Sequence, residues 1–155
     1  MPAPLPRLAL GMATRFNVTV DGLNLGDWSG CTGLEVKAKL HKLHNPGNYA
    51  NEEILFADAT YETVKLERAI DARSQLVRRW VADRLTYRRQ PGWSPLPMFL
   101  GGETATITLL DAAWKPVTTW QLRNVYPVAW KGPQLSASKA AVATEKLELA
   151  HEGFL

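Results

Sequence analysis

The chain has 155 residues, of which 46% are hydrophobic and 21% are charged, with 18 Lys and Arg against 15 Asp and Glu. This length and composition are typical of one compact domain and exclude a disordered polyelectrolyte or a histone-like basic arm. The net charge of +3 is too small to indicate nucleic-acid binding by itself. With Cys31 as its single cysteine, the sequence has neither a disulfide framework nor a cysteine-rich zinc site, which fits a reducing compartment.

The first 13 residues form a proline-rich stretch, with prolines at positions 2, 4 and 6 around a short apolar patch. That patch is too short for the apolar region of a signal peptide and far too short to span a bilayer. We therefore expect a flexible N-terminal arm over residues 1–13, one folded domain over residues 14–155, and no membrane insertion.

Alternation of apolar and polar residues predicts strands in the first half of the chain. It runs over residues 14–20 and again over residues 34–41, where one face is apolar and expected to be packed while the other is wet. Loop-forming residues at 44–48 predict a loop of about a dozen residues that runs to Ala59. Residues 60–69 then predict another strand, which we expect to pair with the strand at 34–41.

After residue 70 the apolar residues recur at the helical period of about 3.6 residues per turn. They are Leu76, Val77, Trp80, Val81 and Leu85. This stripe predicts one helix, with Asp71 as its N-cap and with arginines near its C-terminus, where the helix dipole favours cations.

The second half of the chain is again rich in predicted strands. The prolines and glycines of residues 90–102 exclude a helix or a central strand. Strands are predicted at 104–110, 117–123 and 125–130, the first two joined by a hairpin-length connection. Residues 141–151 fit a helix by composition and a strand by alternation, so the residues alone leave both open. The whole pattern predicts a small sheet or partial barrel with open edges and a single helix.

Catalytic and metal-binding patterns are weak throughout the sequence. His41 and His44 would need further ligands to hold a metal, and on a strand they point to opposite faces. Cys31 lies in a glycine-rich turn without a neighbouring base, so a small turn residue is the preferred interpretation. We find no phosphate-binding loop, dinucleotide fingerprint, nucleophile elbow or zinc-protease motif. The sequence therefore predicts no catalytic residue, no metal and no cofactor.

A basic segment over residues 67–90 contains seven arginines against three acidic residues. Arginines can neutralise phosphates and aromatic side chains can stack on bases, which would suit nucleic acid. Trp80, however, belongs to the apolar stripe of the helix and is expected to pack inward. A solvated basic face, or one that docks on an acidic partner, is therefore the preferred interpretation.

Five segments carry, in chain order, a resemblance to one family that covers nearly the whole chain. They are F-N-V-T-V-D-G at 16–22, W-S-G-C-T-G-L-E-V at 28–36, Y-E-T-V-K-L-E-R at 61–68, the run at 111–133 that contains N-V-Y-P-V and G-P, and E-K-L-E-L-A-H-E-G-F at 145–154. They resemble the tail tube proteins of contractile phages and phage-tail-like contractile injection systems, a family similar in structure to the secreted Hcp tube protein.

The resemblance implies a mainly β fold with one α-helix, a small β-barrel or sandwich of the tail-tube (Hcp-like) type, and a strand near the end of the chain. It implies a structural, non-enzymatic subunit of the inner tube of a contractile injection apparatus, with hexameric rings stacked around a central channel. The expected partners are further copies of the chain, sheath, baseplate and spike proteins, and lumen cargo or DNA. Assembly would take place in the cytoplasm, before the subunit becomes part of a phage virion or phage-tail-like particle.

In such a ring, neighbouring subunits would pair open sheet edges, polar strand faces would line the channel, and the basic helix would lie outside. The expected channel-lining residues are Glu35, Lys37, Lys39, Thr63, Lys65 and Glu67. The long loop at 44–58 would by resemblance reach a neighbouring ring or subunit. Its expected contact residues are Asn45, Pro46, Gly47, Tyr49 and Phe56.

Three alternatives remain open from the sequence. The proline-rich stretch at 90–102 departs from the family pattern, which suits a tube-initiator ring at the baseplate. From other classes, the alternatives are a small nucleic-acid-binding β-barrel that uses the basic segment, and an enzyme that depends on Cys31 or on histidine.

Overall fold

The computed structural model describes residue 11 and residues 15–44, 46–47, 52–87 and 103–155. The expected N-terminal arm, apart from residue 11, and the proline-rich stretch at 90–102 lie outside these residues. The described elements are β1 (Phe16–Val20), β2 (Leu23–Trp28), β3 (Gly30–Thr32), β4 (Val36–Leu43), β5 (Glu53–Tyr61), β6 (Val64–Ala69), α1 (Ser74–Tyr87), β7 (Glu103–Leu110), β8 (Pro116–Lys131) and β9 (Thr144–Ala150). The predicted class, mainly β with one helix, is confirmed.

Seven antiparallel strands form one sheet in the order β2-β1-β7-β8-β9-β6-β3. The 16-residue β8 links its two halves, because its first part pairs with β7 and its last part with β9. The edge strands β2 and β3 are separated along the chain only by Ser29, whose backbone N–H donates to the carbonyl of Glu67 on β6 over 3.0 Å. The sheet therefore curls until its ends are adjacent. Those ends do not pair with each other, so the expected barrel is an open sheet in the described part of the chain.

A single apolar core fills the inside of this curl. Alternate residues of β1, β6 and β9 are buried there, as the period-2 pattern of each strand requires. Helix α1 covers the core with three residues of the predicted apolar stripe, Val77, Trp80 and Val81. The regular helix begins at Ser74, and Asp71 caps the turn that leads into it. The Asp71 carboxylate accepts the backbone N–H of Arg73 over 2.7 Å, and Ser74 Oγ accepts the backbone N–H of Asp71 over 3.2 Å, as in a capping box.

The strands of the second half follow the prediction with one change. Residues 117–123 and 125–130 form one strand, β8, rather than two, and Asn124 with a φ of 50° marks an irregularity inside it. The segment that composition and alternation left open between helix and strand contains β9, so the strand implied by the family resemblance is confirmed.

The strands β3 to β6 form one long antiparallel ribbon. Thr32 lies opposite Lys65 in the β3–β6 pair, and Val36 lies opposite Tyr61 in the β4–β5 pair. From the first pair to the second, each strand advances by the same number of residues, so no residue is inserted between the two ladders. The ladder is interrupted only at residues 33–35 and 62–63. The register is therefore continuous from the sheet into the hairpin.

Two predictions fail along this ribbon. The strand at 34–41 does not pair with the whole of 60–69, because β4 pairs with β5 while β6 pairs with β3 and β9. The predicted loop to Ala59 is also wrong, since Glu53–Tyr61 is a strand. The cause is a bulge: Lys39 lies opposite Asp58 and Leu40 opposite Phe56, so one extra residue breaks the alternation that would have predicted β5.

Candidate assembly site

The hairpin of β4 and β5, residues 36–43 and 53–61, extends away from the sheet and is called the arm from here on. Its eight paired residues per strand correspond to about 27 Å at roughly 3.4 Å per residue. Among the described strands, none pairs with the outer edge of β4 or β5. Every residue of β4 and all but Ala59 of β5 are exposed.

One face of the arm is apolar, and nothing in the described chain covers it. Phe56 is 67% exposed and lies opposite Leu40, which is 52% exposed. The face consists of Val36, Ala38 and Leu40 on β4 and of Ile54, Phe56, Ala59 and Tyr61 on β5, with Lys42 opposite Ile54 near the tip. The sequence predicted the β4 part of this face to be packed, and within one subunit that prediction is wrong. Apolar surface of this extent on a hairpin is typical of an interaction surface.

This apolar face continues the core of the sheet. Leu34, two residues before β4 begins at Val36, packs against the core. At the other strand of the arm, the ring of Tyr61 contacts Phe154 with centroids 5.7 Å apart, and Phe154 itself packs against the core. The arm therefore extends the inner surface of the subunit to where no described residue covers it.

The root of the arm is set by Gly33. Its φ of +89° lies in the left-handed region, and a Cβ there would lie 2.1 Å from the carbonyl oxygen of Thr63. Only glycine permits both the backbone conformation and this approach. The close contact joins the two interrupted strands where the sheet ends and the arm begins.

The opposite face of the arm is charged. Lys37 Nζ lies 3.0 Å from Glu62 Oε1 and 3.3 Å from Glu35 Oε1, and Lys39 lies opposite Asp58 in the ladder. The hydrogen bonds to Glu62 and then to Glu35 raise the pKa of Lys37. Cations and carboxylates therefore compensate one another along the root half of this face, whereas Leu55 and Leu43 lie on it near the tip.

The outer face of the sheet next to the arm repeats this pattern. Glu67 lies 3.5 Å from Lys146, Lys131 donates a hydrogen bond to Glu148 over 2.8 Å, and Lys65 lies opposite Glu148 in the ladder. The hydrogen bond from Lys131 lowers the pKa of Glu148. Each charge on this face has an opposite charge beside it.

The six expected channel residues thus lie on the same ribbon but on different parts of it. Glu35 and Thr63 are at the root, Lys37 and Lys39 are on the arm, and Lys65 and Glu67 are on β6. None of the six is buried. That these side chains line a channel stays a prediction.

The expected inter-ring residues are divided between the arm and its tip. Pro46 and Gly47 are exposed and belong to a turn between β4 and β5. Phe56 lies on β5 instead of in a loop, on the apolar face. Asn45 and Tyr49 lie outside the described residues.

A buried polar cluster joins the sheet to the helix, and sequence reasoning missed it. Arg68 Nε lies 2.7 Å from Glu145 Oε1, and the same carboxylate accepts hydrogen bonds from Ser74 Oγ over 2.7 Å and from Trp130 Nε1 over 2.9 Å. The guanidinium of Arg68 stacks on Trp28 at 4.3 Å. Arg68 is 3% and Glu145 0% exposed. The sequence did contain a signal for this cluster, because Arg68 ends the family-like segment at 61–68 and Glu145 begins the one at 145–154.

The basic segment is less available to a polyanion than its composition indicates. Arg68 is buried, Arg84 forms an ion pair with Glu103, and the guanidinium of Arg78 lies 5.9 Å from the ring centre of Trp130. Trp80 packs inward as expected and donates its Nε1–H to Glu103 over 2.7 Å. Trp80 is therefore not available to stack on bases.

The weak chemical candidates gain no support from their surroundings. Burial raises the pKa of the Cys31 thiol to about 11, so little reactive thiolate is present at neutral pH. No group of three or more His, Cys, Asp or Glu side chains is placed to hold a metal among the residues that the structure describes. In the same residues, no helix has the length and apolar character that a membrane crossing requires.

Comparison with solved structures places this fold among the components of contractile particles. A chain of the anti-feeding prophage baseplate, solved with sixfold symmetrisation, is 23% identical with a TM-score of 0.67, over 100% of this chain and 96% of that chain. A chain of the sheath–tube complex of an extracellular contractile injection system, PVC, is 15% identical with a TM-score of 0.68, over 99% and 91%. A chain of the anti-feeding prophage tube-terminating cap is 14% identical with a TM-score of 0.67, over 100% and 91%.

Comparison of the sequence with family models identifies the family as well as the fold. The model of the T4-like virus tail tube protein gp19 family matches residues 12–155, which is nearly the whole sequence. The chain therefore belongs to this tail tube protein family. Among curated proteins, no sequence matches it significantly.

Proposed function

We propose that this protein is the structural subunit of the inner tube of a contractile injection apparatus. Copies form hexameric rings, and the rings stack into a tube with a central channel. Membership of the tail tube family supports this role, as does likeness to chains of a sixfold baseplate and of a sheath–tube complex. The subunit acts by assembly and carries out no catalysis.

The observation that carries the proposal is the uncovered apolar face of the arm. A soluble monomer gains nothing by holding Phe56 and Leu40 in water on a hairpin whose outer edges pair with none of the described strands. A neighbouring copy would cover that face and could extend the ladder from an arm edge.

The charged face of the same ribbon then faces the channel. Lys37 and Lys39 lie on the side of the arm opposite the apolar face, and Glu35 at the root forms an ion pair with Lys37, so covering one side leaves the other in water. A Lys37→Cys variant tests this placement. In assembled tubes the new thiol should react slowly, and only with small maleimides, whereas equal labelling by bulky reagents in tubes and free subunits would contradict it.

The partners follow from this role. Sheath and baseplate proteins would contact the outside and the end of the tube, and a spike would sit at its tip. Protein cargo or DNA would occupy the channel. The subunit would be made and assembled in the cytoplasm and then become part of a phage virion or a phage-tail-like particle.

Negative-stain electron microscopy of the purified protein tests the main proposal. Sixfold rings and stacked tubes are expected at high concentration. Rings that stack only when the cognate baseplate is added would indicate the tube-initiator role instead. Light scattering that detects only monomers, with and without baseplate, would contradict both roles.

A further inference from the structure

The turn between β7 and β8 holds a tryptophan in a conformation that bulky residues avoid. Asp111 closes the turn, since its backbone N–H donates to the carbonyl of Lys115 and its carboxylate accepts the N–H groups of Ala113 and Lys115. Trp114 has a φ of +61°, in the left-handed region where hairpin turns normally place Gly or Asn. Strain of this kind is kept where a function requires the side chain.

The indole of Trp114 is presented to solvent in a fixed orientation. It is 59% exposed, and the guanidinium of Arg15 lies 4.7 Å from its ring centre. Arg15 also donates a hydrogen bond to the carbonyl of Ala112, which ties the stack to the turn. An exposed aromatic ring held in place loses little conformational freedom on binding, and Trp and Arg dominate the energy of protein interfaces.

A groove that fits such a ring lies between α1 and β8. Its volume is about 340 Å³, within the range of pockets that hold small ligands. It is lined by Arg78, Val81, Ala82, Leu85 and Trp130. Leu85 is 56% exposed and leaves the apolar stripe of the helix uncovered at this point.

Trp114 and the α1–β8 groove lie near opposite ends of strand β7. Arg84, beside the groove residue Leu85, pairs with Glu103 at the start of β7. Trp114 lies in the turn after Leu110, the last residue of β7. The eight residues of β7 separate these ends by about 24 Å at roughly 3.4 Å per residue. The two surfaces therefore cannot meet within one subunit.

We propose that Trp114 of one copy inserts into the α1–β8 groove of a second copy of this chain, as a head-to-tail contact of the assembly. The inference rests on the proposed tube function and names one of its contacts. A contact between two different surfaces is directional: between stacked rings it leaves anchors free at one end of the tube and grooves free at the other, which lets the tube grow.

A Trp114→Gly variant separates this role from a structural one. Glycine adopts the left-handed conformation freely, so the subunit should unfold at the same or a higher temperature than the parent. The concentration at which tubes form, followed by sedimentation, should rise by at least about tenfold. Leu135→Ala, at a side chain that is 83% exposed elsewhere, is the matched control and should change neither value. A lower melting temperature for Trp114→Gly, or unchanged assembly, overturns the inference.

Chemical cross-linking tests the contact without tubes. Mixed Ala113→Cys and Ala82→Cys subunits, treated with a short bismaleimide, should give a covalent dimer that neither subunit gives alone. Cys31 reacts slowly because its pKa is raised to about 11, and the parent chain serves as the background control. Adding Trp114→Gly to the Ala113→Cys chain, or Leu85→Lys to the Ala82→Cys chain, should abolish the dimer. A cross-link without tubes upholds this contact and contradicts the tube function, whereas its absence from mixtures that form tubes contradicts the contact alone.

Discussion

The sheet and the arm have the same alternating sequence pattern and opposite environments. On β6 the apolar residues Val64 and Leu66 are 0% and 1% exposed, whereas on β4 Val36 and Leu40 are both 52% exposed. The difference is in what lies over each face: the curled sheet and α1 cover the first, and nothing in the described subunit covers the second. An alternating pattern therefore predicts which residues share a face but not which molecule covers it.

The largest effect is expected from the buried polar cluster, which the arm lacks. Glu145→Ala leaves the guanidinium of Arg68 buried without its carboxylate, and loss of one partner of a buried pair costs roughly 3–5 kcal/mol. Thermal or urea unfolding of the free subunit measures this loss. The control is Glu67→Ala, at a half-exposed ion pair, which should change stability by less than about 0.5 kcal/mol. Similar losses in both variants would show that burial of the cluster does not matter.

The next largest loss of stability is expected at Gly33, the root of the arm. Gly33→Ala introduces both a left-handed alanine and a Cβ within 2.1 Å of the Thr63 carbonyl oxygen. Backbone strain costs on the order of 1–3 kcal/mol, and the contact adds to it. Gly47→Ala is the matched control, because its φ is also positive but no atom lies within 4 Å of the new Cβ. Equal unfolding temperatures for the two variants would exclude a role for the Thr63 contact.

Prediction from sequence was most successful where neighbours in the chain decide the structure. The helix stripe at Val77 and Val81 and the alternation of β1 and β6 were sufficient, because each pattern is local. β5 was missed because one bulged residue shifts its alternation of apolar and polar residues. The bulge is visible only in the pairing of β5 with β4, and the sequence of β5 alone does not reveal it. Arg68 was counted among solvated arginines because its partner, Glu145, is 77 positions away.

The arm itself should matter little to the free subunit and strongly to assembly. A Leu40→Ser and Phe56→Ser double variant removes side chains that are already exposed, so the melting temperature should stay within the equivalent of about 0.5 kcal/mol. Leu66→Ala in the sheet should instead cost about 2–5 kcal/mol. Sedimentation should show that tubes are lost for the arm variant. If that variant unfolds, the arm belongs to the core of its own subunit.

The smallest effect is expected at the charge pairs of the outer face. The hydrogen bond from Lys131 lowers the pKa of Glu148 from its ordinary value of 4.5, so the pair stabilises the fold above that pH and is lost as pH falls through the folded pKa. Lys131→Met should raise the Glu148 pKa, as followed by NMR titration of the side-chain carboxyl. An unchanged titration midpoint would mean that Lys131 does not hold the carboxylate in solution.

The continuous register from sheet to arm constrains how this chain can change length during evolution. Between the root of the arm and the bulge, residues on β4 and β5 face each other in the register that β3 and β6 set. An insertion in one strand alone would turn every residue beyond it to the other face, placing lysines where leucine and phenylalanine now stand. Arms of different length in related proteins should therefore differ by matched additions to both strands or by changes confined to the tip. The bulge in β5 is then a single-strand insertion that the hairpin has already absorbed.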